Sequence, residues 1–160
     1  MEKPQITRFA MLAILAFGLL MAGNYFMSGN QQGESIIVTF PSGTQLTAEV
    51  ADSERAMLMV SGLAFRDALA PNSGMLFIYD RADFHVRNTR QYRFPVDMIW
   101  VDDAKRVLLV IEDVKPCPAD DCPALGPPRE KARYVIETQA GFARRERVVV
   151  GDELRFALQM

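Results

Sequence analysis

The sequence predicts an α+β domain: a mainly antiparallel, barrel-like curled sheet with two short helices, carried behind an N-terminal transmembrane helix. Three observations predict it. Short β-branched or alternating runs recur between turn residues along the second half of the chain and more. Only two stretches beyond residue 35 read as helical, at 54–60 and 141–147, so strands dominate. One long apolar run lies near the amino terminus, with Lys3 and Arg8 ahead of it and no basic residue after it until Arg55.

That run sets the organisation of the chain. Residues 9–23 are apolar or small throughout, and as a helix they reach about 22 Å, short of the roughly 30 Å hydrocarbon core. Carried on through Asn24 and the sequence Tyr-Phe-Met at 25–27, the reach becomes about 28 Å, enough to span. The two rings would then lie near the far interface. The positive charge ahead of the run keeps the amino terminus in the cytoplasm and puts the remainder outside. The domain map is therefore 1–8 cytoplasmic, 9–27 membrane anchor, 28–35 linker and 36–158 globular domain. Two rival readings stand beside it. A cleaved signal peptide needs small residues three and one before the cut; a cut after Ala22 leaves Leu20 and Ala22 there, and a cut after Gly23 leaves Met21 and Gly23. A buried soluble helix is the other rival, and the run lacks the polar face that a surface helix shows.

The linker, Ser-Gly-Asn-Gln-Gln-Gly-Glu-Ser at 28–35, is small and polar and reads as a flexible tether. Residues 36–40 are β-branched, 41–44 supply turn residues, and 45–51 alternate as a partner strand. Asp52 or Ser53 can cap a helix over 54–60 that ends near Gly62, with Met57, Leu58 and Met59 giving it apolar weight. A turn over 69–74 leads to the apolar run 75–79, short enough for a buried strand. Residues 84–89 alternate weakly. The best strand is 95–101, with Val96, Met98 and Trp100 on one face and Asp97, Ile99 and Val101 on the other. A turn at 102–105 feeds 106–111, and two runs this close predict an antiparallel hairpin. Residues 114–130 hold five prolines and both cysteines, a long loop. A strand at 134–138, a helical turn over 141–147, and a final turn and strand through 158 close the domain.

Charge bounds the partners. The chain carries a net −2, and the segment 1–33 with Glu2, Lys3 and Arg8 carries +1, so the outer domain carries −3. A mildly acidic domain argues against a nucleic-acid partner, which leaves a basic footprint.

The two cysteines, Cys117 and Cys122, stand in Pro-Cys-Pro-Ala-Asp-Asp-Cys-Pro. Outside the cytoplasm such a pair oxidises and stays oxidised. The six-residue loop would contribute about 2 kcal/mol by chain-entropy arithmetic. Free thiols and a metal or redox site are the alternatives. A zinc site normally takes four ligands, and His85 is the single histidine. No metal or cofactor is therefore expected.

Few residues carry a reaction. A nucleophilic hydrolase needs a base beside its Ser or Cys, and neither a Gly-x-Ser-x-Gly elbow nor a glycine-rich phosphate loop is present. Arg81, Arg87, Arg90 and Arg93 are interleaved with Phe84, Tyr92 and Phe94, a pattern suited to carboxylate, phosphate or sugar recognition and equally to a solvated strand edge. Asp97 interrupts an apolar strand, so it must be hydrogen-bonded or paired; a structural pair and a site acid both satisfy that need. Glu137, between Ile136 and Thr138, raises the same question.

The polar and glycine positions form an ordered series: Glu54-Arg55, Gly62 to Arg66, Gly74 to Phe77, Arg87-Asn88-Thr89, Pro95-Val96-Asp97, the Pro/Cys loop, Glu137, Gly141 and Gly151-Asp152. In that order, across residues 36–158, the chain resembles the domain of unknown function 192 family, found widely in bacteria and archaea. The resemblance implies a compact, β-rich α+β fold behind an export signal or anchor, and it implies no reaction. Family members often show Trp-Met-Lys-Asn-Thr where this chain has His85-Val86-Arg87-Asn88-Thr89. The missing large aromatic removes a stacking surface, and Arg for Lys keeps a cation of different geometry. By resemblance the candidate ligand-binding residues are Arg55, Arg66, Arg87, Asn88, Thr89 and Asp97.

The reading that results is a single-pass protein of the bacterial inner membrane whose outer domain, facing the periplasm or exterior, binds a small polar ligand or an envelope component. A structural or accessory partner of envelope proteins is the second reading. A carboxylate-based envelope hydrolase using Asp97 and Glu137 is the third, and it requires both carboxylates to flank one cleft.

Overall fold

The computed structural model describes residues 34–118 and 121–158. The expected anchor at 9–27 lies outside the described residues, among which no helix is long and apolar enough to cross a membrane. β1 (Ser35–Thr39) and β2 (Gln45–Ala51) form the predicted hairpin, with Thr39 opposite Gln45. Ile36, Val38, Leu46, Ala48 and Val50 are buried on one face, the period of two that lays one face of a hairpin on a core, and Ala51 at the end of β2 is buried in the opposite cluster.

Asp52 then caps a 3₁₀ turn, Ser53–Arg55, its carboxylate accepting from the Arg55 amide at 3.0 Å. The turn runs into α1 (Ala56–Ser61). The chain re-enters the sheet as β3 (Ser73–Asp83), parallel to β2. Neighbouring parallel strands need a long crossover, which residues 52–72 supply. β4 (Val96–Val101) and β5 (Val107–Val114) form the second predicted hairpin. β6 (Ala132–Gln139) inserts antiparallel to both β3 and β4, and α2 (Phe142–Glu146) follows.

The result is one six-stranded sheet in the order β1-β2-β3-β6-β4-β5. Four of its five pairings are antiparallel and the β2–β3 pairing is parallel, so the sheet is mixed. It does not close into the expected barrel. The reason is that both faces of its central strands are apolar and both are covered, whereas a barrel has one interior. Every residue of β4 is buried. Ile99, Val101, Leu76 and Ile136 pack with Phe142, Ala143, Leu154 and Phe156 of the α2 and C-terminal layer. Val96, Met98, Trp100, Met75, Phe77 and Val135 form the opposite cluster, with Leu63 and Tyr92, under the crossover and the loops. The predicted two faces of 95–101 are both found. Instead of pairing with each other, the edge strands meet the same C-terminal strap: Thr39 bridges Arg155, and Arg106 bridges Glu153.

Candidate functional site

The site sits on the Trp100 face, where the end of α1 meets the loop before β4. Residues 86–88 are extended there. The Arg87 amide donates to the Leu125 carbonyl at 3.0 Å, and the Leu125 amide to the Arg87 carbonyl at 2.7 Å. Side chains alternate along such a segment, so Val86 and Asn88 are exposed while Arg87 turns inward. Its Nε donates to Oε1 of Glu137 at 2.9 Å, and its Nη1 to the Met59 carbonyl at 2.9 Å. The guanidinium lies 3.6 Å from the centroid of the Phe77 ring, a cation–π arrangement.

Glu137 receives a second bond, from the Tyr92 hydroxyl to Oε2 at 2.5 Å, and the same hydroxyl accepts from the Leu63 amide at 3.1 Å. The carboxylate has no solvent exposure. Burial pushes it up from the usual carboxylate range, and Arg87 and the Tyr92 hydroxyl oppose that rise. For Arg87, burial works against the charge, but Glu137, Tyr92 and Tyr79 together carry the guanidinium above its ordinary value. The Tyr92 phenol is pushed up by burial, and the neighbouring Glu137 charge adds to the shift.

Gly62 closes this cluster. It ends α1 with φ +55, and a Cβ there would stand 2.6 Å from Nη2 of Arg87 and inside contact with the Tyr92 hydroxyl. Only glycine combines that backbone with that approach.

Above the cluster lies a cleft of about 470 Å³ lined by Met57, Val60, Phe65 and Val86 with Asn88 and Gln91 among its polar members. Its rim is apolar and open: Met57 is 77 % exposed, Val60 83 %, Phe65 62 % and Val86 48 %. Phe65 and Gln91 both hold left-handed backbone, φ +65 and +59, and the Phe65 amide donates to the Gln91 carbonyl at 3.2 Å across the cleft. Left-handed backbone is unfavourable for a bulky side chain and gathers at functional sites.

The candidate residues divide among separate places. Arg87 and Asn88 line the cleft. The Asn88 side chain accepts from the Arg90 amide at 3.0 Å and so stiffens the turn. Thr89 is buried beneath, its hydroxyl donating to the Lys115 carbonyl at 2.8 Å. Arg55 is paired with Glu34 and Asp52, and Arg66 with Glu49; neither lines the cleft. Asp97 is fully buried against the α2 layer, where Oδ1 accepts from the Asp113 amide and Oδ2 from the Ala143 amide, each at 2.8 Å.

Asp97 and Glu137 face opposite ways. Asp97 pairs with Thr138, and Met98 with Glu137, in the β4–β6 ladder. Adjacent ladder positions point to opposite faces, so the two carboxylates cannot flank one cleft. That removes the paired-carboxylate hydrolase.

Cys117 and Cys122 form the expected disulfide, with Cα atoms 5.9 Å apart. Its loop is tied to the cleft segment: the Cys117 amide donates to the Thr89 carbonyl at 3.1 Å, and the Gln91 amide to the Cys117 carbonyl at 3.3 Å. Among the described residues no cluster of three or more His, Cys, Asp or Glu is placed to hold a metal.

The sequence reading counted Met57 toward the apolar weight of the helix and gave Val60 no role beyond its end, whereas both stand on the surface. The signal was present: Met57-Leu58-Met59-Val60 is apolar on every side of a short helix, and one layer covers only one side. Glu137 was noticed but set below Asp97, although it anchors the polar cluster beneath the cleft.

Comparison with known proteins agrees with the series of motifs. The profile of the domain of unknown function 192 family, described as uncharacterized ACR, matches residues 37–156, and the chain belongs to that family. A Sinorhizobium meliloti 1021 protein, described provisionally as a transcription regulator, is similar in structure with 26% identity and a TM-score of 0.66, over 80% of this chain and 98% of its own. A protein of unknown function from Novosphingobium aromaticivorans DSM 12444 is similar with 25% identity and a TM-score of 0.63, over 76% and 83% of the two chains. Among curated proteins there is no match.

Proposed function

We propose that this chain is a membrane-tethered, extracytoplasmic binding module that takes a small ligand, part apolar and part polar, in the cleft between α1 and residues 86–92. The observation that carries the reading is the cleft itself. Large apolar side chains stand open to water around a concave surface whose floor is held rigid by the Arg87–Glu137–Tyr92 cluster. Isolated exposed apolar residues are ordinary, whereas several around one depression mark a binding surface. The volume, about 470 Å³, falls in the range of about 300–1,000 Å³ usual for small-molecule sites. Arg87 supports the ligand surface from below rather than reaching out, because its Nε and Nη1 are bonded to Glu137 and Met59 and its side chain is only 9 % exposed. Asn88 and Gln91 are the polar groups at the mouth.

The tether rests on residues 9–27 behind Lys3 and Arg8, and the outward orientation on the positive-inside bias together with an oxidised cysteine pair. The transcription-regulator description belongs to the Sinorhizobium protein; the −3 balance of this chain beyond residue 33 argues against DNA as its ligand. The second reading, an accessory partner of envelope proteins, draws support from the internal bonding of Arg55, Arg66, Thr89 and Asp97.

Thermal-shift screening of the full-length protein against short-chain carboxylates, glycans and nucleotides tests the binding reading. At least one class should raise the melting temperature of the wild type and not of Val60→Glu, an exposed substitution. A flat response across all classes would leave the accessory-partner reading. Reporter fusions at the carboxyl terminus test the orientation: a phosphatase that works only outside the cytoplasm should be active there.

A further inference from the structure

The floor of the cleft presents an open strand edge. In an antiparallel pair, a residue that exchanges both main-chain bonds with its partner leaves the amides and carbonyls of its two neighbours pointing to the other side. Arg87 exchanges both bonds with Leu125. The main-chain groups of Val86 and Asn88 therefore point away from Leu125, and among the described residues neither takes a main-chain partner. Both residues line the cleft, with Met57, Val60 and Phe65 around them. A small apolar molecule would cover those side chains and leave the main-chain edge without partners. An extended polypeptide satisfies both.

We infer that the cleft receives an extended peptide segment of another protein by strand addition along residues 86–88, with a bulky apolar side chain seated among Met57, Val60 and Phe65. The inference rests on the cleft of the binding reading above and replaces the small ligand proposed there with a peptide segment. Up to four main-chain bonds, to the amides and carbonyls of Val86 and Asn88, give the segment its direction and register, and the apolar seat selects the side chain. Three extended residues span about 10 Å, so the recognised motif is short. The Phe65 ring, 62 % exposed on the rim, is open to the incoming chain.

The test uses full-length protein against an array of random octapeptides, followed by fluorescence titration of the strongest peptides selected. Selected sequences should share a large apolar residue. Val60→Glu should weaken them by about tenfold or more, the loss of roughly one seated apolar side chain. N-methylation of alternate peptide amides should weaken them comparably, while methylation of the intervening amides should not. In amide NMR spectra the largest shifts should fall on Val86 and Asn88. Binding that ignores N-methylation would overturn strand addition. Octanoate binding that is lost in Val60→Glu, with no peptide selected, would overturn the peptide and keep the cleft as a small-molecule site. Neither octanoate nor any peptide binding would overturn both.

Discussion

Glu137 lies between two strands with no route to water, and its charge is answered from two sides, by the Arg87 guanidinium and the Tyr92 hydroxyl. Breaking such a pair by removing one partner leaves an uncompensated buried charge and costs about 3–5 kcal/mol. Arg87→Met should therefore lower stability by about that amount in urea unfolding. The double variant Arg87→Met/Glu137→Met should recover most of the loss, since an apolar replacement of both partners is often neutral. A double variant no better than Arg87→Met would mean that the charge pair is not the cause. Tyr92 gives a second, pH-dependent outcome. Its folded pKa lies above the ordinary phenol value, so the folded state holds this proton more tightly than the unfolded state. That contribution is complete below about pH 10, the unfolded value, and is lost as pH rises beyond it. Stability measured from pH 8 to 11 should fall more steeply in the wild type than in Tyr92→Phe, and parallel curves would refute the coupling. At this scale the sequence was least informative. Polarity inside an apolar strand marked both Asp97 and Glu137, but which of them sits beneath a cleft depends on the face each strand turns to the loops.

The hairpins of β1–β2 and β4–β5 were legible because period-two burial and short turns are local signals. The parallel β2–β3 pairing was not, because it depends on where the crossover packs rather than on the strands themselves. The same holds for α1: its apolar content was visible, but its exposed side is created by the position of the layer it fails to cover. Asp97 shows how one residue joins elements. Its two oxygens accept from the amide of Asp113 at the end of β5 and of Ala143 in α2, so it fixes both elements to β4. Asp113 has left-handed backbone, φ +54, and holds that bend with its amide bonded to Asp97. Asp97→Ala leaves two amides without acceptors at about 1–3 kcal/mol each. The expected loss is about 2–6 kcal/mol, with hydrogen exchange accelerated first at Asp113 and Ala143. Asp97→Asn retains one acceptor oxygen and should lose roughly half as much. Equal losses in the two variants would assign the effect to packing alone.

Across the whole domain, the open sheet is secured by its last residues. Thr39 exchanges main-chain bonds with Arg155 at 2.8 and 3.0 Å, the Leu154 amide donates to the Lys105 carbonyl at 2.9 Å, and the Val107 amide donates to the Asp152 carbonyl at 2.9 Å. One short segment thus touches both edge regions, β1 and the start of β5, and protects them from edge-to-edge association. It also places Leu154 and Phe156 in the core beneath Tyr134, whose ring meets that of Phe156 edge-on at 5.1 Å. The packing and the main-chain bridges can be separated. Leu154→Ala/Phe156→Ala keeps the backbone and should cost about 5–10 kcal/mol if the sites do not collapse, a large share of the about 5–15 kcal/mol that a domain possesses. A chain ending at Val150 loses the same side chains together with the bridges. It should therefore unfold at lower urea than the double variant and, with both edges uncovered, should form dimers or larger species in light scattering where the double variant stays monomeric. Matching unfolding curves and matching light scattering would show that the strap acts through its side chains alone.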